Sequence, residues 1–222
     1  MPDPILIPIL EQNKIRMFEV PISRCTLLSA TEAIIEQAEE RRRGLIVTPN
    51  VDHIITLKRD PEFHEIYKRA SLITADGMPL VWLSKFMPGA TLTGRVTGAD
   101  LLFTVCEMAA KRNLSVAFIG GLPGVADKAK KKLVELSPAL QVVAMHCPPF
   151  GFENSAEQTQ EIIDICRHKK PDILFFGVGA PKQEKWCNKY IDQLNVGPIL
   201  CIGAAFNFAA GNVERAPKWM RK

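Results

Sequence analysis

The sequence lacks a strong net charge, a long apolar segment and paired cysteines. Its formal net charge of +4 over 222 residues is too small to indicate a nucleic-acid-binding protein. No apolar run approaches the roughly 18 residues of a membrane-spanning helix. The apolar stretch at 5–10 is broken by Pro8 and has no basic residues before it, so it does not match a secretory signal peptide. We therefore expect a globular protein of the cytoplasm.

The spacings typical of metal sites and disulfide frameworks are also absent. None of the six cysteines forms a C-x-x-C pair, and four of them lie in apolar or helical patterns. His53 and His64 are interpreted as a packed and a surface residue, because neither has the neighbours of a metal ligand. No D-x-D pair follows an apolar strand. We expect reduced buried thiols, no bound metal and no other cofactor.

Short apolar runs alternate with amphipathic segments along the chain. This alternation predicts an α/β protein in which a Rossmann-like parallel sheet is covered by helices on both faces. We interpret residues 1–222 as a single domain. The apolar runs predict strands at 15–20, 45–47, 71–74, 115–119, 140–145, 172–176 and 199–202. The segments between them predict helices at 30–43, 52–58, 61–70, 79–86 and 157–168, among others.

The stretch P-D-I-L-F-F-G-V-G-A-P-K-Q-E at 171–184 combines a buried strand, a glycine turn and a helix start. The two glycines permit a sharp turn, and Pro181 suits the first position of a helix. Free backbone N–H groups at such a turn attract phosphate. Lys182 and Gln183 would lie in the first helical turn, within reach of a ligand. The alternative is a plain connector with surface charges.

Polar residues follow several of the predicted strands. In open α/β sheets, ligands bind beyond the carboxyl ends of the strands. Asp76 could act there as a general base, or it could cap the helix that follows. Thr48 and Asn50 could bind a base or sugar, or they could form a turn. Arg95 has a fork suited to a diphosphate, or it could simply be exposed.

Two further segments leave other functions open. The glycine run at 120–124 resembles a dinucleotide fingerprint only loosely, because its spacing differs and no acidic residue follows a second strand. An NAD(P)-binding oxidoreductase and a non-catalytic nucleotide-binding subunit therefore stand as alternatives. The end of the chain, at 213–222, places basic residues beside Trp219, which suits a membrane surface, phosphates or a solvated tail.

Five motifs follow one another in order along the chain. They are T-P-N-V-D-H at 48–53, A-D-G-M-P at 75–79, G-R-V-T-G-A-D at 94–100, G-A-P-K-Q-E at 179–184 and G-A-A-F-N-F-A-A-G at 203–211, with R-A-P-K-W at 215–219 after them. Together they resemble the WecG/TagA/CpsF family of bacterial glycosyltransferases, over the chain from about residue 15 to its end.

The resemblance implies an inverting transferase, and the missing D-x-D pair indicates one that works without a metal. It would move a sugar, of the N-acetylmannosamine type or a uronic acid, from a UDP donor to polyprenyl-diphosphate-linked N-acetylglucosamine. The product would belong to teichoic acid, common antigen, capsule or exopolysaccharide synthesis. By position in the motifs, Asp76 resembles the catalytic base. The same motifs imply substrate-binding roles for Thr48, Asn50, Asp52, Arg95, Gly179, Lys182, Gln183, Glu184, Phe206 and Arg215.

The family also implies a place of action at the inner face of the cell membrane, as a peripheral protein. Its members usually continue past the R-A-P-x-W motif into a basic amphipathic tail that helps to bind membrane and close the pocket. This sequence ends at Lys222. We therefore expect weaker activity and membrane attachment from a chain without that tail. The sequence leaves open which sugar is transferred and whether the chain forms homo-oligomers.

Overall fold

In the computed structural model, which describes residues 13–87, 89 and 91–211, six parallel strands form the central sheet in the order β4-β3-β8-β7-β5-β6. The Rossmann-like α/β prediction is confirmed. The sheet strands are β3 (Gly44–Val47), β4 (Leu72–Ile73), β5 (Ser115–Gly120), β6 (Gln141–His146), β7 (Ile173–Gly177) and β8 (Pro198–Cys201).

Nine helices and one 3₁₀ turn fall within the described residues. They are α1 (Leu27–Glu39), α2 (Val51–Arg59), α3 (Pro61–Arg69), α4 (Met78–Lys85), α5 (Gly98–Lys111), α6 (Val125–Leu136), the 3₁₀ turn Phe152–Asn154, α7 (Ala156–Lys169), α8 (Lys182–Leu194) and α9 (Ala205–Ala209).

The prediction of a single first strand at 15–20 is wrong. Two short strands, β1 (Lys14–Met17) and β2 (Val20–Ser23), pair antiparallel instead. Phe18 and Glu19 connect them with φ angles of 51° and 66°. Such left-handed pairs make the tight hairpin turns that match strand twist. Neither residue is a typical turn former, so the sequence gives no signal for the hairpin.

Several helix boundaries also differ from the predicted ones, among them the end of α1 and the start of α8. Helix α1 is capped by Thr26, whose side chain accepts from the N–H of Ser29, and it stops at Glu39, four residues earlier than predicted. Arg41 has a left-handed φ of 50°, which a continuing helix cannot accommodate. Pro181 occupies the cap position before α8 and is not its first residue.

The central strand β7 is buried on both faces, as its continuous apolar run predicts. Phe175 packs on one side with α1, α5, α6 and α9, and Phe176 packs on the other with α2, α3, α4, α7, α8 and the hairpin. Alternate residues of each strand thus supply two cores. Truncating either phenylalanine to alanine should cost about 3–5 kcal/mol of unfolding free energy.

Glycines let the strand ends pack closely where the loops gather. Gly120 has a φ of +114°, and a Cβ there would lie 2.3 Å from the carbonyl oxygen of Gly177. A Cβ on Gly177 would lie 2.8 Å from the oxygen of Gly203. The turns after β5, β7 and β8 are therefore in direct backbone contact, which places their loops at one spot.

All six cysteines are free thiols, and five of them are buried, as predicted. Burial raises the pKa of Cys25 to about 11 and that of Cys166 to about 12. Within the described residues, no helix is both long and apolar enough to cross a bilayer. The apolar stretch at 5–10 and the basic end at 213–222 lie outside the described residues.

Candidate active site

Two adjoining cavities open at the carboxyl edge of the sheet. The main cavity, of about 490 Å³, lies over the ends of β4, β3, β8 and β7, and the side cavity, of about 310 Å³, lies over β8, β7, β5 and β6. Gly179, Gly203 and Ala204 line both and form the wall between them. The main cavity is also lined by Thr48, Asn50, His53, Asp76, Arg95, Thr97, Ala99, Ala180, Ile202, Ala205 and Phe208.

Asp76 lies in the loop after β4, half-buried in the wall of the main cavity. Its backbone N–H donates to the oxygen of Pro49 over 2.8 Å, and its Oδ2 accepts from the backbone nitrogen of Gly98 over 3.4 Å. The N-cap of α4 is Gly77. Asp76 is thus not the N-cap of that helix, and its carboxylate is directed toward the start of α5.

Asn50 serves as the N-cap of α2, so its position is set by the helix. Its Oδ1 accepts from the backbone nitrogen of His53 over 3.1 Å and lies 2.6 Å from Nδ1 of the same ring. The backbone N–H of Asn50 in turn donates to Nδ1 over 3.4 Å, which closes a capping box between the two residues. Burial lowers the pKa of His53, and the charge of Asp52 opposes this shift. With its oxygen occupied, Asn50 can offer a ligand the NH₂ group, beside the hydroxyl of Thr48.

Arg95 is half-buried in the cavity wall, so it is not the exposed arginine of the alternative interpretation. Its Nη2 lies 3.6 Å from Oδ2 of Asp100. Thr97 holds that carboxylate in turn, because its hydroxyl donates to Oδ2 over 2.8 Å. The first turn of α5 therefore tethers a cation at the cavity, and a guanidinium has further N–H donors to offer a ligand.

Lys182 lines the side cavity, where the expected first-turn position of α8 places it. Its Nζ lies 3.2 Å from Oε1 of Glu153 and 4.9 Å from the ring centre of Phe150. The Phe150 side chain is 99% exposed. An accessible aromatic ring beside an ammonium group suits a ligand that carries both a flat ring and negative charge.

Gln183 and Glu184 lie beneath the cavities and line neither of them. Each is only 1% exposed. Oε1 of Gln183 accepts from the backbone nitrogens of Gly179, over 3.2 Å, and Gly203, over 3.1 Å. The expectation of free backbone N–H groups at this turn does not hold for Gly179, because its N–H already donates to a side chain of the protein. Burial raises the pKa of Glu184 to about 7.

Comparison with known proteins identifies the family of this chain. The model of the glycosyl transferase WecG/TagA/CpsF family matches residues 15–222. The chain belongs to this family. The resemblance seen in the motifs is therefore confirmed, and the protein is a glycosyltransferase.

Three relatives of this glycosyltransferase carry the name N-acetylglucosaminyldiphosphoundecaprenol N-acetyl-beta-D-mannosaminyltransferase. The protein from Bacillus spizizenii is 25% identical over 82% of this chain and 68% of its own length. The protein from Bacillus subtilis is 22% identical over 90% of this chain and 76% of its own. The protein from Staphylococcus aureus strain NCTC 8325 is 25% identical over 94% and 80%.

Two of the remaining residues expected from the family motifs, Asp52 and Phe206, do not line either cavity. Asp52 is exposed in the first turn of α2. Phe206 is 1% exposed and packs against Phe118 with ring centres 5.5 Å apart, which is a core position. Phe208, two residues later, lines the main cavity instead. Arg215 lies outside the described residues.

Sequence reasoning missed most of the side cavity. Gly121 and Leu122 line it, although the glycine run matched no known fingerprint, and so do Pro148 and Phe150 of the loop after β6. The position of that loop after a predicted strand was the available signal.

Among residues 13–87, 89 and 91–211, no group of three or more His, Cys, Asp and Glu side chains is placed to hold a metal ion.

Proposed function

We propose that this glycosyltransferase moves an N-acetylmannosamine-type sugar from a UDP donor to polyprenyl-diphosphate-linked N-acetylglucosamine, with inversion at the anomeric carbon. The observation that carries the proposal is that Asp76 and Arg95 line one cavity at the carboxyl edge of the sheet. A base in this cavity can take the proton of the acceptor hydroxyl, and a cation there can offset the negative charge of the leaving diphosphate. The names of the relatives support the choice of sugar and acceptor.

The donor would span both cavities. The nucleoside fits the side cavity, where Phe150 offers a ring for stacking and Lys182 a charge for phosphate. The transferred sugar fits the main cavity, where Thr48 and Asn50 offer a hydroxyl and an amide for its polar groups. The diphosphate would then cross the shared wall near Gly179, where Arg95 and Lys182 can offset its charge from either side.

In the reaction, Asp76 would take the proton from the acceptor hydroxyl as that oxygen attacks the anomeric carbon. The bond from the anomeric carbon to the diphosphate oxygen breaks, and UDP leaves with the electron pair. Attack from the face opposite UDP gives inversion. Arg95 would meet the negative charge that develops on the leaving oxygen, where a charged hydrogen bond is strongest. The N–H of Gly98 would hold the Asp76 carboxylate in place.

The acceptor places the enzyme at the inner face of the cell membrane in this proposal, because its polyprenyl chain is embedded there. The product would serve a cell-surface polymer such as a teichoic acid.

The two alternatives from the sequence make different predictions. An oxidoreductase would bind NAD(P), and a non-catalytic subunit would bind nucleotide without turnover.

The deciding experiment is a donor screen. UDP-N-acetylmannosamine, UDP-N-acetylmannosaminuronic acid, UDP-N-acetylglucosamine and UDP-glucuronic acid are each incubated with a lipid-linked N-acetylglucosamine acceptor, and UDP release and the glycolipid product are measured. We expect product with the N-acetylmannosamine donor and no calorimetric signal with NAD(P). Product from none of the donors, together with NAD(P) binding, would overturn the proposal.

A further inference from the structure

The pair Gln183 and Glu184 forms a buried polar link below the wall that both cavities share. Nε2 of Gln183 donates to Oε1 of Glu184 over 2.8 Å, while Oε1 of Gln183 accepts from the backbone nitrogens of Gly179 and Gly203. These two glycines follow β7 and β8, and both line both cavities. One side-chain amide thus joins two turns that are more than 20 residues apart in the chain.

We propose that Glu184 is a positioning residue of this enzyme, which fixes the Gln183 amide so that its oxygen holds the Gly179 and Gly203 turns at the spacing that donor binding requires. The proposal rests on the proposed function, because it assumes that the shared wall contacts the donor. Glu184 itself touches neither cavity and would act only through Gln183.

The orientation of the amide decides whether the link holds. A glutamine amide can rotate by half a turn, which exchanges its oxygen and its NH₂ group. In the rotated state, the NH₂ group would face two backbone N–H donors and no hydrogen bond could form. The acceptor at Glu184 Oε1 excludes that state, because it requires the NH₂ group on its own side. Without an acceptor at residue 184, both turns would lose their common anchor.

The surroundings of Glu184 fit a role as a fixed acceptor and not as a reacting group. Among the described residues, neither Glu184 Oε2 nor the hydroxyl of Tyr67 has a hydrogen-bond partner. Tyr67 approaches from α3 and Cys201 from β8, and the charge of Glu184 acts on both, while Cys187 of α8 contacts Cys201. A proton on Oε2 would leave Oε1 free to accept. The link to Gln183 can therefore persist in both protonation states.

Three variants of the whole chain test the proposal. Glu184→Gln keeps an acceptor oxygen at nearly the same shape, and Glu184→Met removes it. Thr159→Val is the matched control, because it removes a different buried acceptor for α8, the hydroxyl that takes the indole N–H of Trp186 over 3.2 Å. The measurements are hydrogen exchange of peptides containing Gly179 and Gly203, calorimetric titration with UDP, and steady-state kinetics with the donor.

For Glu184→Met, we expect exchange at both glycines to become about tenfold faster or more. The Kd for UDP and the KM for the donor should both rise about tenfold, while kcat changes less. KM rises more than kcat falls because a distorted turn weakens the binding of the ground state and of the transition state alike. Glu184→Gln should stay within about threefold of wild type in every measurement. Thr159→Val should lose thermal stability without a change in UDP affinity.

Two results would overturn the proposal. One is wild-type exchange at Gly179 and Gly203, with wild-type UDP affinity, in Glu184→Met. The other is a folded Glu184→Gln that fails as badly as Glu184→Met, since the carboxyl would then have a role of its own. The exchange measurement needs no substrate. If the wild type neither binds UDP nor turns over a UDP-sugar, the proposed function fails, and exchange still decides whether Glu184 holds the two turns.

Discussion

The backbone N–H of Gly98 donates to the carboxylate of Asp76 over 3.4 Å, although 22 residues separate the two. Backbone pairing explains the approach, because Val96 donates to the oxygen of Ala75 over 2.9 Å. That pairing places Arg95, next to Val96, alongside Asp76, next to Ala75. The proposed base and the proposed leaving-group cation are thus set by one contact between two loops.

Asp76→Asn should lower kcat by about two to four orders of magnitude, the usual size of a general-base effect. The amide oxygen of asparagine can still accept from Gly98, so we expect the fold and the UDP affinity to stay within about threefold of wild type. Steady-state turnover and calorimetry measure the two quantities. Asp192→Asn, at a side chain 80% exposed on α8, is the control and should change neither. Near-wild-type turnover in folded Asp76→Asn would contradict the role of base.

The sheet was predictable because its strands are apolar runs with turn residues at both ends. The run Ile173–Phe176 can be buried only by covering both faces, and that fact alone indicates helices on both sides. Strand order was not predictable, since it depends on contacts between distant segments. The hairpin at Phe18 and Glu19 was missed because two residues without turn chemistry adopt left-handed angles.

The candidate site was predictable in its members more than in their roles. Asp76 and Arg95 follow strand ends, and the sheet edge brings such residues together whatever the details of packing. Gln183 has the same polarity and lies in a first helical turn, yet it is directed inward. Its direction depends on the close contact of the glycine turns at 177–179 and 203, which no local pattern encodes. Sequence alone could not separate a wall residue from one that supports the wall.

Turnover should not require a divalent cation. In the proposed complex, Arg95 and Lys182 offset the diphosphate charge, which is the role that a metal plays in other transferases. We expect EDTA to leave the initial rate of UDP release within about twofold of the untreated enzyme. Added Mg²⁺ or Mn²⁺ should change it as little. Loss of activity in EDTA that either ion restores would reject the prediction.

Arg95→Ala and Lys182→Ala should affect different kinetic constants. Arg95 would meet charge that develops as the bond breaks, so its loss should lower kcat about 10- to 100-fold with a smaller change in UDP affinity. Lys182 lies in the side cavity beside Phe150, and its loss should raise the Kd for UDP about tenfold with little change in kcat. Lys189→Ala, exposed on the same helix, is the control. Equal effects on both constants from both variants would show that the two cations do not divide these roles.

Glu184→Gln should stabilise the protein at high pH and much less at low pH. Burial raises the pKa of Glu184 from 4.5 to about 7 in the folded state. Between these values the folded chain binds more protons than the unfolded one, so the free energy of unfolding falls as pH rises through this range. Above the folded pKa, the buried charge lowers the free energy of unfolding by about 3 kcal/mol. Glutamine carries no charge and removes this loss.

Glu184→Gln should therefore raise the free energy of unfolding by about 3 kcal/mol at pH 8 and by about 1 kcal/mol at pH 5. A difference between the two side chains that does not depend on pH adds to both values. Urea titrations of both proteins at both pH values measure these gains, and the difference between the two gains cancels the part that does not depend on pH. Glu135→Gln, at a side chain 54% exposed on α6, is the control. A Glu184→Gln gain independent of pH would show that this carboxyl stays ionised in the fold. The hydrogen bond from Gln183 would then be made to a carboxylate that is always charged, and burial would not determine the pKa of Glu184.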